Sequence, residues 1–384
     1  MGRARAQSHT ARISYGPQYL LVDWPDGHQS GFDAIWLWDN ALGHRDQSNG
    51  QRLIDATDLP DDPRIASAEV QGQQLAVRWT DAGSPSLYEL TWLRENCYCG
   101  LDALQPASPV VFWRAADSAW LTRIDADDFW RSERIRHSWL MAVALQGIAF
   151  LRGAPRRKDL VLELARLIGF VRETNYGRTF DVRASAQPNN LAYSDIALRL
   201  HTDNPYRDPV PGLQMLHCLT PSEAGGASLF ADGFAVAESL RTDDPDAFSI
   251  LAQTPITFSF RDTTAELSAR RPLIQVDLRG RIESIHYNSR SIAPLRLRSA
   301  ETVRFYSAYR AFSRRLHSSE FLFETRLDAG DIVLFDNRRV LHGRTAFDTT
   351  GVARHLQGCY LDKDGMLSTI AMLERNLGDG EYRR

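Results

Sequence analysis

The stretch Leu198-Arg199-Leu200-His201-Thr202-Asp203 carries two metal-binding side chains two residues apart, and a second histidine follows far downstream in Leu341-His342-Gly343. His-x-Asp followed by a distant histidine is typical of the 2-His-1-carboxylate facial triad, which holds Fe(II) on one face and leaves the other face open. The open positions admit a bidentate co-substrate and O2 together. We therefore predict that His201, Asp203 and His342 bind one Fe(II) and form the catalytic centre.

The residues of this stretch are expected to alternate between two sides, because side chains i and i+2 of an extended segment point the same way. His201 and Asp203 can then reach one ion. The same alternation predicts that Arg199 faces the iron side and that Thr202 points away from it.

A strand and an arginine flank the third ligand. The turn at Gly330-Asp331 and the apolar run that ends at Phe335 predict a strand that delivers His342 to the site. Arg354 lies a short distance beyond His342. Its planar guanidinium can bind a carboxylate in bidentate fashion, so Arg354 is a candidate anion-binding residue.

Seven motifs extend this pattern along the chain. They are Asn189-Asn190-Leu191-Ala192-Tyr193, His201-Thr202-Asp203, Pro211-Gly212-Leu213-Gln214-Met215-Leu216-His217-Cys218, Asp232-Gly233-Phe234, Asp336-Asn337-Arg338, Leu341-His342-Gly343-Arg344 and Arg354-His355-Leu356. In this order they resemble the γ-butyrobetaine hydroxylase family of Fe(II)/2-oxoglutarate-dependent dioxygenases, from about Tyr19 to near the C-terminus. The resemblance implies a hydroxylase that uses 2-oxoglutarate and O2 as co-substrates and releases succinate and CO2.

The resemblance also implies roles for pocket residues. It places Leu216 and Arg354 at the co-substrate, with Arg354 on the distal carboxylate of 2-oxoglutarate. It maps an aromatic cage for a trimethylammonium group onto Tyr176, Phe180, Tyr193 and Tyr360. A quaternary ammonium has no N–H to satisfy, so aromatic faces can replace the water around it. The family usually has Trp where this chain has Phe180, which predicts a looser cage.

The acid end of the substrate is expected at Asn190 and Asn288, which match amide positions of the family. Arg199 and Arg290 stand beside them in the sequence and would add positive charge at that end. The added charge favours a dianion, the phosphonate 2-(trimethylammonio)ethylphosphonate, over the carboxylate γ-butyrobetaine. Nearly all basic residues of this chain are arginine, however, so any single arginine is weak evidence of selection for guanidinium chemistry.

Three functional hypotheses follow from these residues. The first is a dioxygenase acting on a trimethylammonium acid, with either the phosphonate or γ-butyrobetaine as substrate. The second is a 2-oxoglutarate oxygenase of secondary metabolism with an unrelated substrate. The third is a binding protein without activity, which the intact triad and Arg354 argue against.

The N-terminal part of the chain predicts a small β-rich domain over residues 11–108. Tyr19–Asp23 and the residues up to Phe32 alternate around the turn Pro25-Asp26-Gly27, as in a hairpin. A second β pair is predicted at residues 65–70 and 74–79, and a short helix is predicted within residues 87–96.

Residues 125–384 predict the larger, catalytic domain. Helical spacing occurs at residues 132–146, 159–170, 302–317 and 365–377. The many short β runs between residues 190 and 362 predict a double-stranded β-helix of the jelly-roll or cupin type. The predicted fold class is therefore mainly β with helices.

Zinc is not expected in the N-terminal domain. The resembling family usually holds a structural zinc there with three cysteines and one histidine. In this chain Ala41, Gly43 and Asp46 stand where the cysteines are expected, and Ser84 stands near the position of the histidine. Four good donors are needed for tetrahedral zinc, and this segment offers His44 alone. Cys97 and Cys99 are the candidates for substitute ligands if zinc is bound after all.

Composition narrows the possible partners. The 384 residues are 43% hydrophobic and 24% charged, with a net charge of −3. Acidic residues balance the basic ones, so we expect no nucleic-acid partner. No apolar run is long enough for a membrane span and no signal peptide is evident, so we expect a cytoplasmic protein without membrane contact. The partner should be a small-molecule substrate, and the family resemblance implies a homodimer.

Overall fold

The computed structural model describes residues 11–81, 84–99, 110–183, 196–347 and 354–381. The chain divides into two compact units, residues 1–107 and residues 108–384. Within the described ranges, no helix combines the length and the apolar character needed to cross a membrane.

The first unit contains two three-stranded antiparallel sheets, each followed by a short helix. Its elements are β1 (Arg12–Tyr15), β2 (Tyr19–Asp23), β3 (Gln29–Asp33), α1 (Ala34–Asp39), β4 (Ile65–Gln71), β5 (Gln74–Trp79), β6 (Ser86–Glu89) and α2 (Leu90–Glu95). Leu20 and Val22 alternate with exposed residues along β2 and enter the core of the unit. Both predicted hairpins are present, and the predicted short helix begins three residues later than expected, since Leu87 belongs to β6.

An ion pair and hydrogen bonds cross-link residues 39–52, the segment that includes the positions of the family's zinc-binding cysteines. Arg52 forms an ion pair with Asp39, and Arg45 donates to the side-chain oxygen of Asn40 over 3.1 Å. The Asp46 carboxylate accepts hydrogen bonds from the backbone amides of Ser48 and Asn49 at 2.8 and 3.2 Å. Asp46 is therefore engaged in a local turn.

The second unit is built on two sheets. Its strands are β7 (Arg123–Asp125), β8 (Ile148–Arg152), β9 (Val171–Arg172), β10 (Phe180–Arg183), β11 (Leu198–His201), β12 (Leu213–Thr220), β13 (Ser228–Asp232), β14 (Ile256–Arg261), β15 (Glu266–Arg271), β16 (Ile274–Val276), β17 (Ile282–Ile285), β18 (Phe323–Thr325), β19 (Ile332–Asp336), β20 (Val340–Arg344) and β21 (His355–Leu361). The major sheet runs β10-β21-β12-β19-β8-β7, with β9 also on β21, and the minor sheet runs β11-β20-β13-β18. Strands far apart in sequence are neighbours in both sheets, as in the predicted double-stranded β-helix.

The two sheets share an aromatic core. Phe150, Val333 and Phe335 from the major sheet pack with Phe230 and Val340 from the minor sheet. Trp113 and Leu121 belong to the same cluster. The second unit therefore begins upstream of residue 125, the boundary expected from the sequence, because these earlier side chains are needed to fill its core.

Helices cover the outer surfaces of this unit. They are α3 (Ala126–Arg131), α4 (Glu133–Gln146), α5 (Leu160–Ala165), α6 (Gly233–Asp243), α7 (Pro245–Gln253), α8 (Ser299–Leu316) and α9 (Lys363–Glu381). Helices α3, α4, α5 and α9 contribute to one core cluster with the major sheet, and α6, α7 and α8 form another with β14 to β17. Helix α5 is shorter than the predicted residues 159–170, and α8 begins three residues before the predicted residues 302–317 and ends one residue earlier.

A buried ion pair ties several of these elements together. Asp232, at the end of β13, accepts hydrogen bonds from Arg339 Nε at 3.0 Å and Arg339 Nη2 at 2.7 Å. The Asp232 carboxylate also caps α6 through the amide of Phe234, and Arg339 donates to the carbonyl oxygens of Leu145 and Val111. Both side chains are at most 3% exposed, so each charge depends on the other.

Asp232→Ala should destabilise the second unit by about 3–5 kcal/mol, because it leaves the Arg339 guanidinium buried without its counter-charge. Urea denaturation measures the change. Asp127→Ala is the matched control, since its ion pair with Arg131 is exposed on both sides (77% and 71%) and should contribute little. Equal effects of the two substitutions would contradict this role of the Asp232–Arg339 pair.

Candidate iron and co-substrate site

The two candidate histidine ligands face each other across neighbouring strands. His201 ends β11 and pairs directly with His342 on β20, and Leu198 pairs with Arg344. Residues 198–201 of β11, four in number, therefore oppose the three residues 342–344 of β20, so β11 contains one extra residue, as in a β-bulge. A Cβ atom on Gly343 would lie 2.5 Å from the Leu198 carbonyl oxygen, so glycine permits this close approach.

The three ligand atoms converge on one point. His201 Nε2 lies 3.2 Å from Asp203 Oδ1, and His342 Nε2 lies 3.8 Å from Asp203 Oδ2. Their imidazole rings are 4.3 Å apart, centroid to centroid. Candidate ligand atoms of the three residues lie within 4.8 Å of one another, a distance that a single ion between them can span.

Hydrogen bonding selects the metal-binding nitrogen of His201. Its Nδ1 lies 2.8 Å from the Arg199 carbonyl oxygen, which can only accept, so Nδ1 carries the proton. The lone pair is then on Nε2, which faces the carboxylate. An N–H bond from a ligand imidazole to a backbone carbonyl is the usual way in which proteins orient such a ligand.

Electrostatics keep His342 and Asp203 in their metal-binding forms. Burial lowers the pKa of His342 to about 3, and the neighbouring His201 adds to this effect, so the imidazole is neutral at neutral pH. Burial alone would raise the pKa of Asp203, but His342, His201 and Tyr360 together hold it below its ordinary value. The neutral imidazole of His342, the Nε2 atom of His201 and the Asp203 carboxylate form a donor set that fits Fe(II).

Tyr360 engages one oxygen of the carboxylate ligand. Its hydroxyl donates a hydrogen bond of 2.7 Å to Asp203 Oδ2. Burial and the charge of Asp203 raise the pKa of Tyr360 well above its ordinary value, so the hydroxyl keeps its proton. Oδ1, on the side of His201, remains available to a metal, and binding through one oxygen leaves more positions open.

Asn337 fixes the backbone at Asp203. Its side-chain oxygen accepts from the Asp203 amide at 2.7 Å, and its nitrogen donates to the Asp203 carbonyl at 3.0 Å and to the Pro211 carbonyl at 3.1 Å. Asn337 is fully buried. Sequence analysis did not single out this residue, although it lies in the quoted motif Asp336-Asn337-Arg338.

Tyr287 holds the neighbouring Thr202 on the other side of the backbone. The Thr202 amide donates to the Tyr287 carbonyl at 2.7 Å, and the Tyr287 amide donates to the Thr202 hydroxyl at 3.0 Å. The Asn288 amide nitrogen donates to the Thr202 carbonyl at 3.2 Å. Thr202 thus points away from the metal, as predicted.

One cavity of about 790 Å³, partly open to solvent, contains the triad. Arg354, Leu216, Tyr176, Phe180, Tyr360 and Arg290 line it, as the sequence predicted for a shared pocket. Arg344, Gln214 and Ser228 also line it and were not predicted. The signal that could have identified Arg344 is its spacing, since it lies two residues after His342 on the same strand.

Arg354 is a deeply buried cation at this cavity. It is 5% exposed, and its guanidinium makes neither a hydrogen bond nor an ion pair with any residue in the described ranges. Burial lowers its pKa to about 10, so it remains charged at neutral pH. A buried charge of this kind is stabilised when an anion binds.

Two of the predicted substrate residues lie elsewhere than expected. Arg199 is exposed and does not line the cavity, because the extra residue in β11 puts Leu198 and His201, three apart, on the cavity side. Asn288 is buried and bonds to Thr202 instead of lining the cavity. Asn190 and Tyr193 lie outside the described residues.

Comparisons with known proteins decide the family. Residues 109–360 match the model of the taurine catabolism dioxygenase TauD, TfdA family, and residues 11–94 match the γ-butyrobetaine hydroxylase-like N-terminal family. The chain belongs to the TauD, TfdA dioxygenase family. With its His201–Asp203–His342 triad, it is an Fe(II)- and 2-oxoglutarate-dependent dioxygenase, as the sequence predicted.

Three relatives illustrate where this dioxygenase stands. It is 36% identical to a γ-butyrobetaine dioxygenase of Pseudomonas sp. (strain AK-1), over 93% of this chain and 94% of that one. It is 28% identical to the human γ-butyrobetaine dioxygenase, over 95% and 97%. It is 30% identical to the mitochondrial trimethyllysine dioxygenase of Bos taurus, over 89% and 82%.

The chemistry divides between the metal and the protein. Fe(II) held by His201, Asp203 and His342 would supply the activation of O2, with 2-oxoglutarate as the reductant. The protein side chains orient this centre: Tyr360 holds one oxygen of Asp203, Asn337 holds its backbone, and Arg354 offers a buried positive charge to an anion. Phe180 and Leu216 contribute apolar surface to the wall of the cavity.

Replacing Asn337 should weaken iron binding without removing a ligand. Asn337→Ala deletes three hydrogen bonds around Asp203 and should lower the Fe(II) affinity roughly 10–100-fold, the usual cost of losing an outer-shell partner. Fe(II) titration with succinate release as the readout measures the change. Asn376→Ala, on the exposed surface of α9, is the control. Unchanged iron affinity in a folded Asn337→Ala protein would show that Asn337 does not position the ligand.

Arg354→Lys tests the co-substrate assignment. A lysine keeps the charge but lacks the planar fork that matches a carboxylate, so the KM for 2-oxoglutarate should rise by about tenfold or more. Fe(II) affinity should not change. Arg314→Lys, on the exposed face of α8, provides the comparison. If the KM for 2-oxoglutarate is the same in both variants, Arg354 does not bind the co-substrate.

Proposed function

We propose that this dioxygenase hydroxylates a small acid that carries a trimethylammonium group, with Arg290 binding the acid and aromatic rings binding the ammonium. The observation that carries the proposal is one cavity that contains the triad, the aromatic rings of Tyr176, Phe180 and Tyr360, and the guanidinium of Arg290. The names of the relatives support it, since γ-butyrobetaine and trimethyllysine both carry a trimethylammonium group.

The aromatic rings form two walls of the cavity. Phe180 and Tyr360 contact each other with centroids 4.9 Å apart, so they act as one wall. Tyr176 forms another, and its ring packs edge-on against Phe260 at 6.1 Å. An ammonium group between π faces gains roughly 0.5–2 kcal/mol from each cation–π contact, depending on how fully it is desolvated. Gly358 makes room for Phe180, because a Cβ there would lie 2.7 Å from the phenyl ring.

Arg290 is the candidate for the acid group. Its side chain is accessible from the cavity, and within the described ranges its guanidinium forms no hydrogen bond and no ion pair. Partial burial lowers its pKa, while the nearby charge of Asp203 opposes that change. A substrate anion would offset the desolvation of this guanidinium.

The number of arginines at the acid end of the substrate indicates whether the acid group is a carboxylate or a phosphonate. The preference for a phosphonate rested on two arginines, Arg199 and Arg290, and Arg290 alone of these two lines the cavity. Of the two arginines assigned to the acid end, one is left, and a single positive charge there suits a singly charged carboxylate. We therefore propose γ-butyrobetaine as the substrate, and 2-(trimethylammonio)ethylphosphonate becomes the competing candidate.

Side-by-side assays of these two compounds decide the head group. Succinate release should show a higher kcat/KM with γ-butyrobetaine, and Arg290→Ala should lower that value by tens to thousands of fold, corresponding to about 2–5 kcal/mol for a lost charge partner. Arg199→Ala is the matched control, because Arg199 is exposed beside the site without lining the cavity. A clear preference for the phosphonate would reject the carboxylate but leave the trimethylammonium class standing.

Binding of the ammonium charge by the aromatic rings is tested by comparing γ-butyrobetaine with an uncharged analogue in the same assay. In 5,5-dimethylhexanoate the quaternary nitrogen of γ-butyrobetaine is replaced by carbon, so shape is kept and charge is lost. The isostere should bind more weakly, and Phe180→Ala should narrow the difference between the two compounds. Equal turnover of both compounds would instead favour an oxygenase with an unrelated substrate.

The homodimeric state and the cytoplasmic localisation that the sequence led us to expect stay predictions.

A further inference from the structure

A second group of metal-binding side chains lies in the first unit. His28 Nε2 is 3.4 Å from Cys97 Sγ and 3.1 Å from Cys99 Sγ, although 69 residues separate His28 from Cys97. The candidate ligand atoms of the three residues lie within 4.8 Å of one another. All three side chains are half-buried, and the iron site uses none of them.

We propose that His28, Cys97 and Cys99 bind one Zn²⁺ when the two cysteines are reduced. One imidazole and two thiolates are donors that zinc prefers, with Zn–N distances of about 2.0 Å and Zn–S distances of about 2.3 Å. Three protein ligands leave the fourth tetrahedral position to water or to a further ligand. The proposal does not depend on the substrate of the dioxygenase.

The two segments that carry these ligands are joined by other contacts. Arg94, in α2, forms an ion pair of 3.1 Å with Asp26 in the turn before His28. The Tyr98 hydroxyl donates to the Asp33 carboxylate at 2.9 Å and accepts from the Asp33 amide at 2.6 Å. The Asp26 carboxylate also accepts from the His28 amide at 3.0 Å. The ligands therefore come together without needing a metal to assemble them.

The proposed zinc site differs from the zinc site of the resembling family. It uses none of the positions Ala41, Gly43, Asp46 and Ser84, and the expectation of no zinc counted His44 as the single donor of that segment. His28 lies on the turn between β2 and β3, far in sequence from the two cysteines. Only the tertiary fold brings this turn to the end of α2, so the sequence did not identify His28 as a ligand.

The structure contains the oxidised form of this site, with a disulfide between Cys97 and Cys99. Disulfide sulfurs are not thiolates, so the disulfide and the zinc exclude each other. With hydrogen peroxide as oxidant, each thiolate gives up one electron and the S–S bond forms. The O–O bond of the peroxide breaks and takes two electrons and two protons to give two water molecules, and Zn²⁺ is released. A thiol or phosphine reductant reverses the change.

Cobalt substitution in the full-length chain tests the proposal. Protein reduced with a phosphine and titrated with Co²⁺ should develop a thiolate-to-cobalt charge-transfer band with one equivalent of metal, which the iron triad cannot produce because it has no sulfur ligand. The band should disappear in Cys97→Ser and Cys99→Ser and weaken in His28→Ala. His44→Ala is the matched control and should keep it.

The wild-type chain alone also decides the matter, in case a variant does not fold. Zinc added to the reduced protein should abolish the cobalt band, hydrogen peroxide should release about one zinc per chain as measured by elemental analysis, and the phosphine should restore binding. No charge-transfer band in the reduced wild type, or a band that survives Cys99→Ser, would overturn the proposal.

Discussion

The direct pairing of His201 with His342 is the constraint on which the catalytic unit depends. An antiparallel ladder puts residues from distant parts of the chain side by side, and here it brings two imidazoles to 4.3 Å. The extra residue in β11 turns His201 toward the cavity, and Gly343 lets the two backbones approach at that point. Both rings are buried, and burial lowers the pKa of His342 so that its imidazole is available as a neutral ligand.

Backbone contacts protect this pairing from the loops around it. Asn337 forms hydrogen bonds with the backbone of Asp203, and the Tyr287 amide donates to the hydroxyl of Thr202. These bonds restrict the backbone conformation of the two residues. The carboxylate itself is shared between Tyr360 and the metal position. A ligand set held in this way would need little reorganisation when iron binds.

Charge distribution explains why the cavity favours anions. Asp203 is the negative group of the triad, while Arg354 and Arg290 add positive charge without a counter-ion from the described residues. Arg354 is deeply buried and Arg290 is accessible, so the two differ in how much they gain from a bound anion. This difference fits a buried co-substrate carboxylate and a substrate that enters from the open side.

The sequence by itself determined the chemistry of the ligands, the family and the fold class, because His-x-Asp, a distant histidine and ordered motifs are local patterns. It also predicted half of the residues that line the cavity, including Tyr176, Phe180 and Arg354. The tertiary structure alone decided the orientation of Arg199, since strand alternation holds only while the strand is regular. It likewise decided that Asn288 braces Thr202, that Asn337 braces Asp203, and that His28 meets Cys97 and Cys99. Such contacts join residues far apart in the chain, and their geometry depends on strand register and packing, which a local pattern does not encode.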